Sequence, residues 1–220
     1  MTRDLQTLPP EHVKIQGPAG VLGATLEQPA ADPLGMVLHL HPHPMHGGNR
    51  RNNVVRHGAL GSLAAGCVAL RVDFRGVPGS EGRHDHGFGE VDDAEAAVQW
   101  MLQRFPDLPL FLWGFSFGSR VGLELCFRGG LPVEGYLAVA WPTAYYTWPE
   151  GSGWPDRMSF LAGSEDDFVD RTLMQPALDH GGEFEVVDGA DHFFRGQLHL
   201  VREFTRNKLQ AWLPAKPSPE

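Results

Sequence analysis

The sequence predicts one α/β domain in which helices cover both faces of an open, mostly parallel sheet. Three observations support this fold class. A hairpin pattern opens the chain. After it, short apolar runs alternate with segments whose apolar residues recur at helical spacing. The 220 residues suit one domain and provide too few strand–helix units for a closed barrel. We place the domain at residues 11–213, between loosely held termini at residues 1–10 and 214–220.

The hairpin consists of residues 13–16 and 21–27, which flank turn residues at 17–20. Apolar runs predict six further strands, at residues 36–40, 67–74, 108–113, 133–140, 158–162 and 184–187. Helical spacing predicts five helices, at residues 53–65, 90–105, 120–128, 170–180 and 197–212. The segment at residues 141–156 is rich in Trp, Pro and Tyr and has no clear period.

The composition is typical of a globular protein, with 42% apolar and 20% charged residues. A formal net charge of −9 argues against nucleic acid as a partner, because no basic stripe is present to displace counterions. No apolar stretch approaches the roughly 18 residues of a membrane span, and the first residues lack a signal-peptide core. Cys67 and Cys126 lie in apolar segments and are expected to be buried free thiols. We therefore expect a cytoplasmic protein that contacts neither membrane nor nucleic acid.

The residues at 114–118 read Gly-Phe-Ser-Phe-Gly, a G-x-S-x-G pattern between a predicted strand and a predicted helix. This context is typical of a nucleophile elbow, in which a serine is exposed at a sharp, strained turn. Glycines two residues either side of Ser116 fit the crowding of such a turn. In a chain with 27 Gly, an ordinary glycine-rich turn is the alternative. A nucleophilic Ser116 therefore requires a base, an acid and an oxyanion hole at the right strand ends.

The base and the acid are expected after later strands, because functional groups gather at the carboxyl ends of parallel strands. His192 follows the last predicted strand in a glycine-containing loop and is the candidate base. Asp166 follows the preceding strand and is the candidate acid, with Asp167 as the alternative. Asp191 is disfavoured because sequence neighbours rarely orient each other's side chains. The residues just after Ala140, Trp-Pro-Thr-Ala at 141–144, offer no acid.

An oxyanion hole needs backbone N–H donors aimed at the developing charge. The N–H of Phe117 follows the candidate nucleophile and is the first expected donor. The second should come from the loop after the strand at 36–40, where Pro42 and Pro44 have no N–H to donate. The N–H of His43 is therefore the second predicted donor.

The same loop allows a rival interpretation as a metal site, because imidazoles are common zinc ligands. The histidines concerned are His39, His41, His43, His46, His84 and His86. No Cys or Glu accompanies them at a known metal spacing, so we expect no metal. The loop at residues 75–82 lacks the Lys-Ser/Thr ending of a phosphate-binding loop, so no nucleotide or other cofactor is expected.

Together these residues resemble the α/β-hydrolase superfamily over residues 12–212. More narrowly, the chain is similar to a branch of small single-domain bacterial predicted hydrolases that carry three motifs. The motifs are H-P-H-P-x-x-G-G, D/N-F-R-G-V-G-x-S-x-G and G-F-S-F-G, which here fall in order at residues 41–48, 73–82 and 114–118. One departure is Pro78, which stands where the branch usually has glycine, in a loop that borders the site.

The resemblance implies a Ser–His–Asp enzyme that cleaves a small ester or thioester through an acyl-enzyme on Ser116. A peptidase or acyltransferase with the same triad, and a non-catalytic binding protein on this fold, are the alternatives. The propeller and cap domains of many such peptidases are not expected here. The enzyme would act on a small acyl substrate as a monomer or homodimer.

The sequence also suggests which residues meet that substrate. Trp141, Tyr145 and Tyr146, with Trp148 and Trp154, are candidates for the wall of an apolar pocket. The alternative is a loop packed on its own aromatic side chains, or a dimer contact. Arg50, Arg51 and Arg195 flank the site loops and would favour an acidic substrate, although solvated arginines are common.

Overall fold

The computed structural model describes residues 6–214, and its centre is an eight-stranded sheet in the order β1-β2-β4-β3-β5-β6-β7-β8. The strands β1 and β2 form an antiparallel hairpin, β2 runs antiparallel to β4, and all remaining neighbours are parallel. The strands are β1 Glu11–Gly17, β2 Gly20–Glu27, β3 Gly35–Leu40, β4 Cys67–Val72, β5 Leu110–Phe115, β6 Val133–Val139, β7 Met158–Gly163 and β8 Glu183–Val187. The predicted fold class is confirmed.

Helices cover both faces of this sheet. They are α1 Asn53–Ala64, α2 Phe88–Arg104, α3 Phe117–Arg128, α4 Gln175–Asp179 and α5 Leu198–Trp212. One core cluster packs α1 and α5 against the sheet, and a second packs α2 and α3 against the other face. The strands β3, β4, β5 and β7 are buried along their whole length, as expected for a sheet sandwiched between two helical layers.

Several observed elements differ from the predicted ones in their bounds, and three of these differences concern β4, β5 and the helix predicted at residues 170–180. β4 ends at Val72, because the Phe74 N–H donates its hydrogen bond to the His41 imidazole and not to a neighbouring strand. β5 begins at Leu110 and continues to Phe115, directly before the serine. The helix predicted at residues 170–180 is a 3₁₀ turn at Arg171–Met174 followed by the short α4. Pro176 has no N–H to donate to the preceding turn, so one continuous α-helix is disfavoured there.

Much of the predicted loose termini, residues 1–5 and 215–220, lies outside the described residues. Within the described part, Gln6 and Leu8 pair with Ala30 and Gln28 through backbone hydrogen bonds of 2.9 and 3.0 Å. Burial raises the pKa of the Cys67 thiol to about 12, so this cysteine stays protonated at neutral pH. Across residues 6–214, no helix combines the length and the apolarity that a membrane crossing requires.

Candidate active site

Ser116 occupies the turn between β5 and α3 and has a positive φ of 54° with ψ of −122°. The chain leaves no room beside it. A Cβ on Gly114 would lie 2.4 Å from the Gly118 carbonyl oxygen, and one on Gly118 would lie 2.3 Å from the Leu40 carbonyl oxygen. Both contacts are far below normal van der Waals separation and involve backbone atoms that cannot rotate away. The predicted reason for the two glycines is therefore confirmed.

Hydrogen bonds fix the turn on both sides. The Ser116 N–H donates to the Val139 carbonyl at the end of β6 over 2.9 Å. The Ser119 hydroxyl donates to the Ser116 carbonyl over 2.6 Å, and the buried Tyr136 hydroxyl donates to the Ser119 carbonyl over 2.6 Å. Burial raises the pKa of Tyr136 well above its usual value, which keeps this donor protonated. The strained serine is thus held by bonds that do not involve its own hydroxyl.

Ser116, His192 and Asp166 form a hydrogen-bonded chain across three strand ends. The Ser116 Oγ lies 3.0 Å from His192 Nε2, and His192 Nδ1 lies 2.9 Å from both Asp166 oxygens. A carboxylate only accepts, so Nδ1 carries the hydrogen and Nε2 is free to accept from the serine hydroxyl. The three residues are 6–8% exposed, which places the chain beneath the surface but still open to a small molecule.

The loops that carry Asp166 and His192 are joined by their backbones. The Ser164 N–H donates to the Val187 carbonyl over 2.9 Å, and the Glu165 N–H donates to the Ala190 carbonyl over 3.0 Å. Gly163 must lack a side chain here, because a Cβ would lie 2.0 Å from the Ala190 carbonyl oxygen. These backbone contacts therefore fix the separation of the two loops that carry the Asp166 carboxylate and the His192 imidazole.

The other candidate acids have different partners. Asp167 is exposed and makes no hydrogen bond to His192. Asp191 forms an ion pair of 2.8 Å with Arg195 and accepts hydrogen bonds from the Phe193 and Arg195 N–H groups. Asp166 also accepts a 2.9 Å hydrogen bond from the Phe168 N–H, which orients its carboxylate. Of the acids considered from the sequence, the structure brings Asp166 to the imidazole.

The loop after β3 approaches the first turn of α3. His43 packs its ring 4.8 Å from the Phe117 ring, and the Gly48 N–H donates to the His43 carbonyl over 3.1 Å. Phe117 is the first residue of α3, so its N–H has no carbonyl within the helix to bind. The two predicted oxyanion donors therefore lie on adjoining segments beside Ser116.

His41 holds this loop in place. Its Nε2 accepts from the Phe74 N–H over 3.0 Å, so Nδ1 carries the hydrogen and donates to the Pro42 carbonyl over 2.6 Å. Burial lowers the pKa of His41 to about 4, which keeps the ring neutral at physiological pH and preserves both bonds. The ring thus ties the end of β3 to the segment that follows β4.

The histidines of the rival metal interpretation do not share one centre, although the rings of His43 and His84 lie 4.8 Å apart. His39 is buried in β3, where its Nε2 lies 3.0 Å from the Ser62 hydroxyl. His84 donates from Nδ1 to Glu90 over 2.7 Å. Burial and the neighbouring imidazoles lower the pKa of His43 to about 4. Within residues 6–214, no group of three ligand-type side chains is arranged to hold a metal ion.

The predicted substrate wall is corrected in part. Trp141 is 2% exposed and stacks on Trp148 at 3.9 Å, so it belongs to the core and offers little surface to a ligand. Tyr146 is half-buried beneath the Arg120 guanidinium, 4.8 Å from its ring. Tyr145 is 66% exposed and lies 5.3 Å from the Phe168 ring. The loop is packed largely on its own aromatic side chains, and only Tyr145 of the three predicted residues is broadly accessible.

Phe168 is a site residue that the sequence analysis missed. Its ring stacks on His192 at 4.3 Å and remains 40% exposed. Phe193, also 40% exposed, meets the same imidazole edge-on at 5.2 Å. The position of Phe168, two residues after the candidate acid, was the available signal. Together Phe168, Phe193 and Tyr145 form an open aromatic flank beside His192.

Comparisons with known proteins agree with the α/β fold, although no protein-family model matches the chain. An uncharacterized protein of Rickettsia prowazekii is 30% identical over 206 residues, which cover 88% of this chain and 85% of the relative. An α/β serine hydrolase of Xanthomonas campestris, described as lacking a lid, superposes with a TM-score of 0.88 at 28% identity and covers 96% and 99% of the two chains.

An α/β serine hydrolase homologue from Coxiella burnetii superposes with a TM-score of 0.80 at 31% identity, covering 90% of this chain and 97% of that one. The fold is that of the α/β hydrolases, and both structural neighbours are described as serine hydrolases or their homologues. The chain belongs to the α/β-hydrolase superfamily and is one of its small single-domain members.

The crowding at the elbow predicts different effects for two glycines of α3. We expect Gly118→Ala to destabilise the fold by several kcal/mol, because the methyl group meets the Leu40 backbone. In Gly122→Ala the methyl group meets only side-chain atoms, 3.2 Å away, and alanine gains about 1 kcal/mol in helix propensity. Urea unfolding of both variants measures the difference, and equal stability would contradict this account of the turn.

Proposed function

We propose that this protein is a serine hydrolase that cleaves small carboxylic esters or thioesters through an acyl-enzyme on Ser116. The observation that carries the proposal is the hydrogen-bonded chain from the Ser116 hydroxyl through His192 to Asp166, with distances of 3.0 and 2.9 Å. A nucleophile, a base and an orienting acid in this arrangement are the parts that acyl transfer requires.

In the first step, His192 Nε2 accepts the hydroxyl proton as Ser116 Oγ attacks the carbonyl carbon. Asp166 holds the imidazole in the required tautomer and stabilises the positive charge that forms on it. The tetrahedral intermediate collapses when His192 returns the proton to the leaving alcohol or thiol. Water then repeats the sequence on the acyl-enzyme, with His192 again as the base, and releases the acid.

The negative charge on the intermediate's oxygen needs fixed donors. The Phe117 N–H at the start of α3 is one, favoured also by the positive end of the helix dipole. The His43 N–H is the proposed second donor, on a loop that His41 and two prolines restrain. The loss of one preorganised donor of this kind lowers kcat by about 10²–10³-fold.

The open site favours small esters over larger substrates. Residues 140–157, which join β6 to β7, contain turns and bends but no helix that would cover Ser116. The accessible apolar surface is the aromatic flank of Phe168, Phe193 and Tyr145 beside His192. Such a flank suits a short acyl or aryl group and offers no extended groove for a peptide.

The role of Ser116 can be tested with a fluorophosphonate probe, which forms a covalent adduct with an activated serine. We expect intact-mass spectrometry to show one adduct on the native protein and none on Ser116→Ala, because the nucleophile has been removed. Ser152→Ala, which changes an exposed loop serine, is the control and should label normally. Failure of the native protein to label would favour the non-catalytic binding protein.

The two acidic candidates can be separated by matched substitutions. We expect Asp166→Asn to lower kcat for 4-nitrophenyl acetate by about 10³–10⁴, because the amide favours the wrong imidazole tautomer. Asp167→Asn, one residue away and exposed, should retain nearly full activity. The reverse ranking would assign the orienting role to Asp167.

The aromatic flank predicts a dependence on acyl chain length. We expect Phe168→Ala to lower kcat/KM for 4-nitrophenyl hexanoate about tenfold more than for the acetate, because the longer chain loses apolar contact area. Phe88→Ala, which removes a ring that is 71% exposed on α2, serves as the control. If the native protein hydrolyses no ester of the series, the peptidase or acyltransferase alternative becomes the better one.

A further inference from the structure

A polar pocket of about 490 Å³ lies beside the loop that carries the proposed oxyanion donor. We call it the Arg51 pocket. The residues that line it include Asn49, Arg50, Arg51, Asn53, Asp73 and Pro78.

Two backbone connections place the Arg51 pocket close to Ser116. The Gly48 N–H donates to the His43 carbonyl over 3.1 Å, so Asn49 to Arg51 lie within three residues of that contact. Asp73 directly follows β4, and β4 is separated from β5 by β3 alone, a span of about 10 Å at the usual strand spacing. The pocket is therefore within reach of an ester of modest size bound at Ser116.

Among the described residues, the charged side chains that line the pocket form an ion pair, except that of Arg51. Arg50 forms an ion pair with the buried Asp73, and its Nε donates to Thr25 over 3.1 Å. Behind it, Arg71 pairs with Glu27 over 2.8 Å and donates to the Arg50 carbonyl. In the part of the chain that the structure describes, Arg51 has neither an ion pair nor a hydrogen bond from its guanidinium.

Arg51 is exposed to solvent and lines the pocket beside Arg50 and Asp73. Burial raises the pKa of the Asp73 carboxyl, and its hydrogen bonds and ion pair with Arg50 oppose that rise, with a smaller opposing effect from the charge of Arg51. Asn49 accepts from the Arg51 N–H over 2.9 Å and so fixes the backbone from which the guanidinium extends. Asn53 begins α1, whose positive dipole end adds to the field.

We propose that the Arg51 pocket binds an anionic group of the substrate, a carboxylate or a phosphate, through the Arg51 guanidinium. This inference rests on the proposed function, since it defines a second anchor for the ester that Ser116 attacks. The sheet order places β3 and β4 on one side of Ser116, and β7 with its aromatic flank on the other. The substrate is then an ester with an apolar part at Phe168 and an anionic part at Arg51.

The test compares kcat/KM for anionic and neutral esters of matched size. On the acyl side, mono-4-nitrophenyl glutarate is compared with 4-nitrophenyl pentanoate. On the alcohol side, 2-(butanoyloxy)ethyl phosphate is compared with its neutral dimethyl phosphate ester, so that this pair tests a phosphate and the first pair tests a carboxylate. Arg51→Ala, Arg51→Glu and the exposed Arg56→Ala are the variants, the last being a charge-matched control outside the pocket.

For at least one pair of esters, we expect Arg51→Ala to lower the anionic-to-neutral ratio of kcat/KM by about 3- to 10-fold. Arg51→Glu should lower this ratio further. Arg56→Ala should leave the ratio unchanged, and added salt should lower it in the native protein. The proposed anionic pocket is overturned if the protein hydrolyses the neutral esters but the anionic-to-neutral ratio of kcat/KM is the same in the native protein and in both Arg51 variants. Hydrolysis of no ester would overturn the proposed function itself.

Discussion

The strained turn at Ser116 is the constraint on which the rest of the site depends. A non-glycine residue with a φ of 54° and a ψ of −122° costs about 1–3 kcal/mol and persists only when its surroundings hold it. Here the surroundings are backbone atoms. Gly118 lies against the Leu40 carbonyl, and Val139 accepts the serine N–H. The position of the serine hydroxyl is therefore determined by β3, β5 and β6 together, which are buried strands of the sheet.

The same principle applies to the partners of the serine. The acid and base loops are joined through Glu165 and Ala190, and the donor loop is tied to β4 through a neutral His41. In each case a backbone hydrogen bond or a buried ring fixes the loop, and the chemical side chain extends from it. Preorganisation of this kind lets a site act without a lid, because no closure is needed to assemble it.

Much of this arrangement could be predicted from the sequence because it follows from strand order. Ser116, Asp166 and His192 lie three, four and five residues after the ends of predicted apolar runs, and parallel strands bring such positions to one edge of the sheet. The aromatic residues were less predictable. Trp141 and Tyr145 lie in the same aperiodic segment, yet one is core and the other 66% exposed. That difference arises from stacking between Trp141 and Trp148 within the segment, a contact that its aperiodic sequence pattern does not reveal.

The open site also determines what can select a substrate. Without a cover, the site cannot enclose a small ester, so binding energy must come from surfaces beside the serine. The two available surfaces differ in kind. The β7 and β8 side presents exposed aromatic rings against His192. The β3 and β4 side presents a polar pocket lined by Arg51, whose guanidinium has no ion pair with any residue that the structure describes. A uniformly apolar ester gains contact only with the aromatic flank, so either its acyl or its alcohol part can lie there. An ester with one apolar and one anionic end gains contact on both sides and in one direction only. In the proposed reaction, polarity rather than enclosure orients the substrate carbonyl toward the proposed N–H donors of Phe117 and His43.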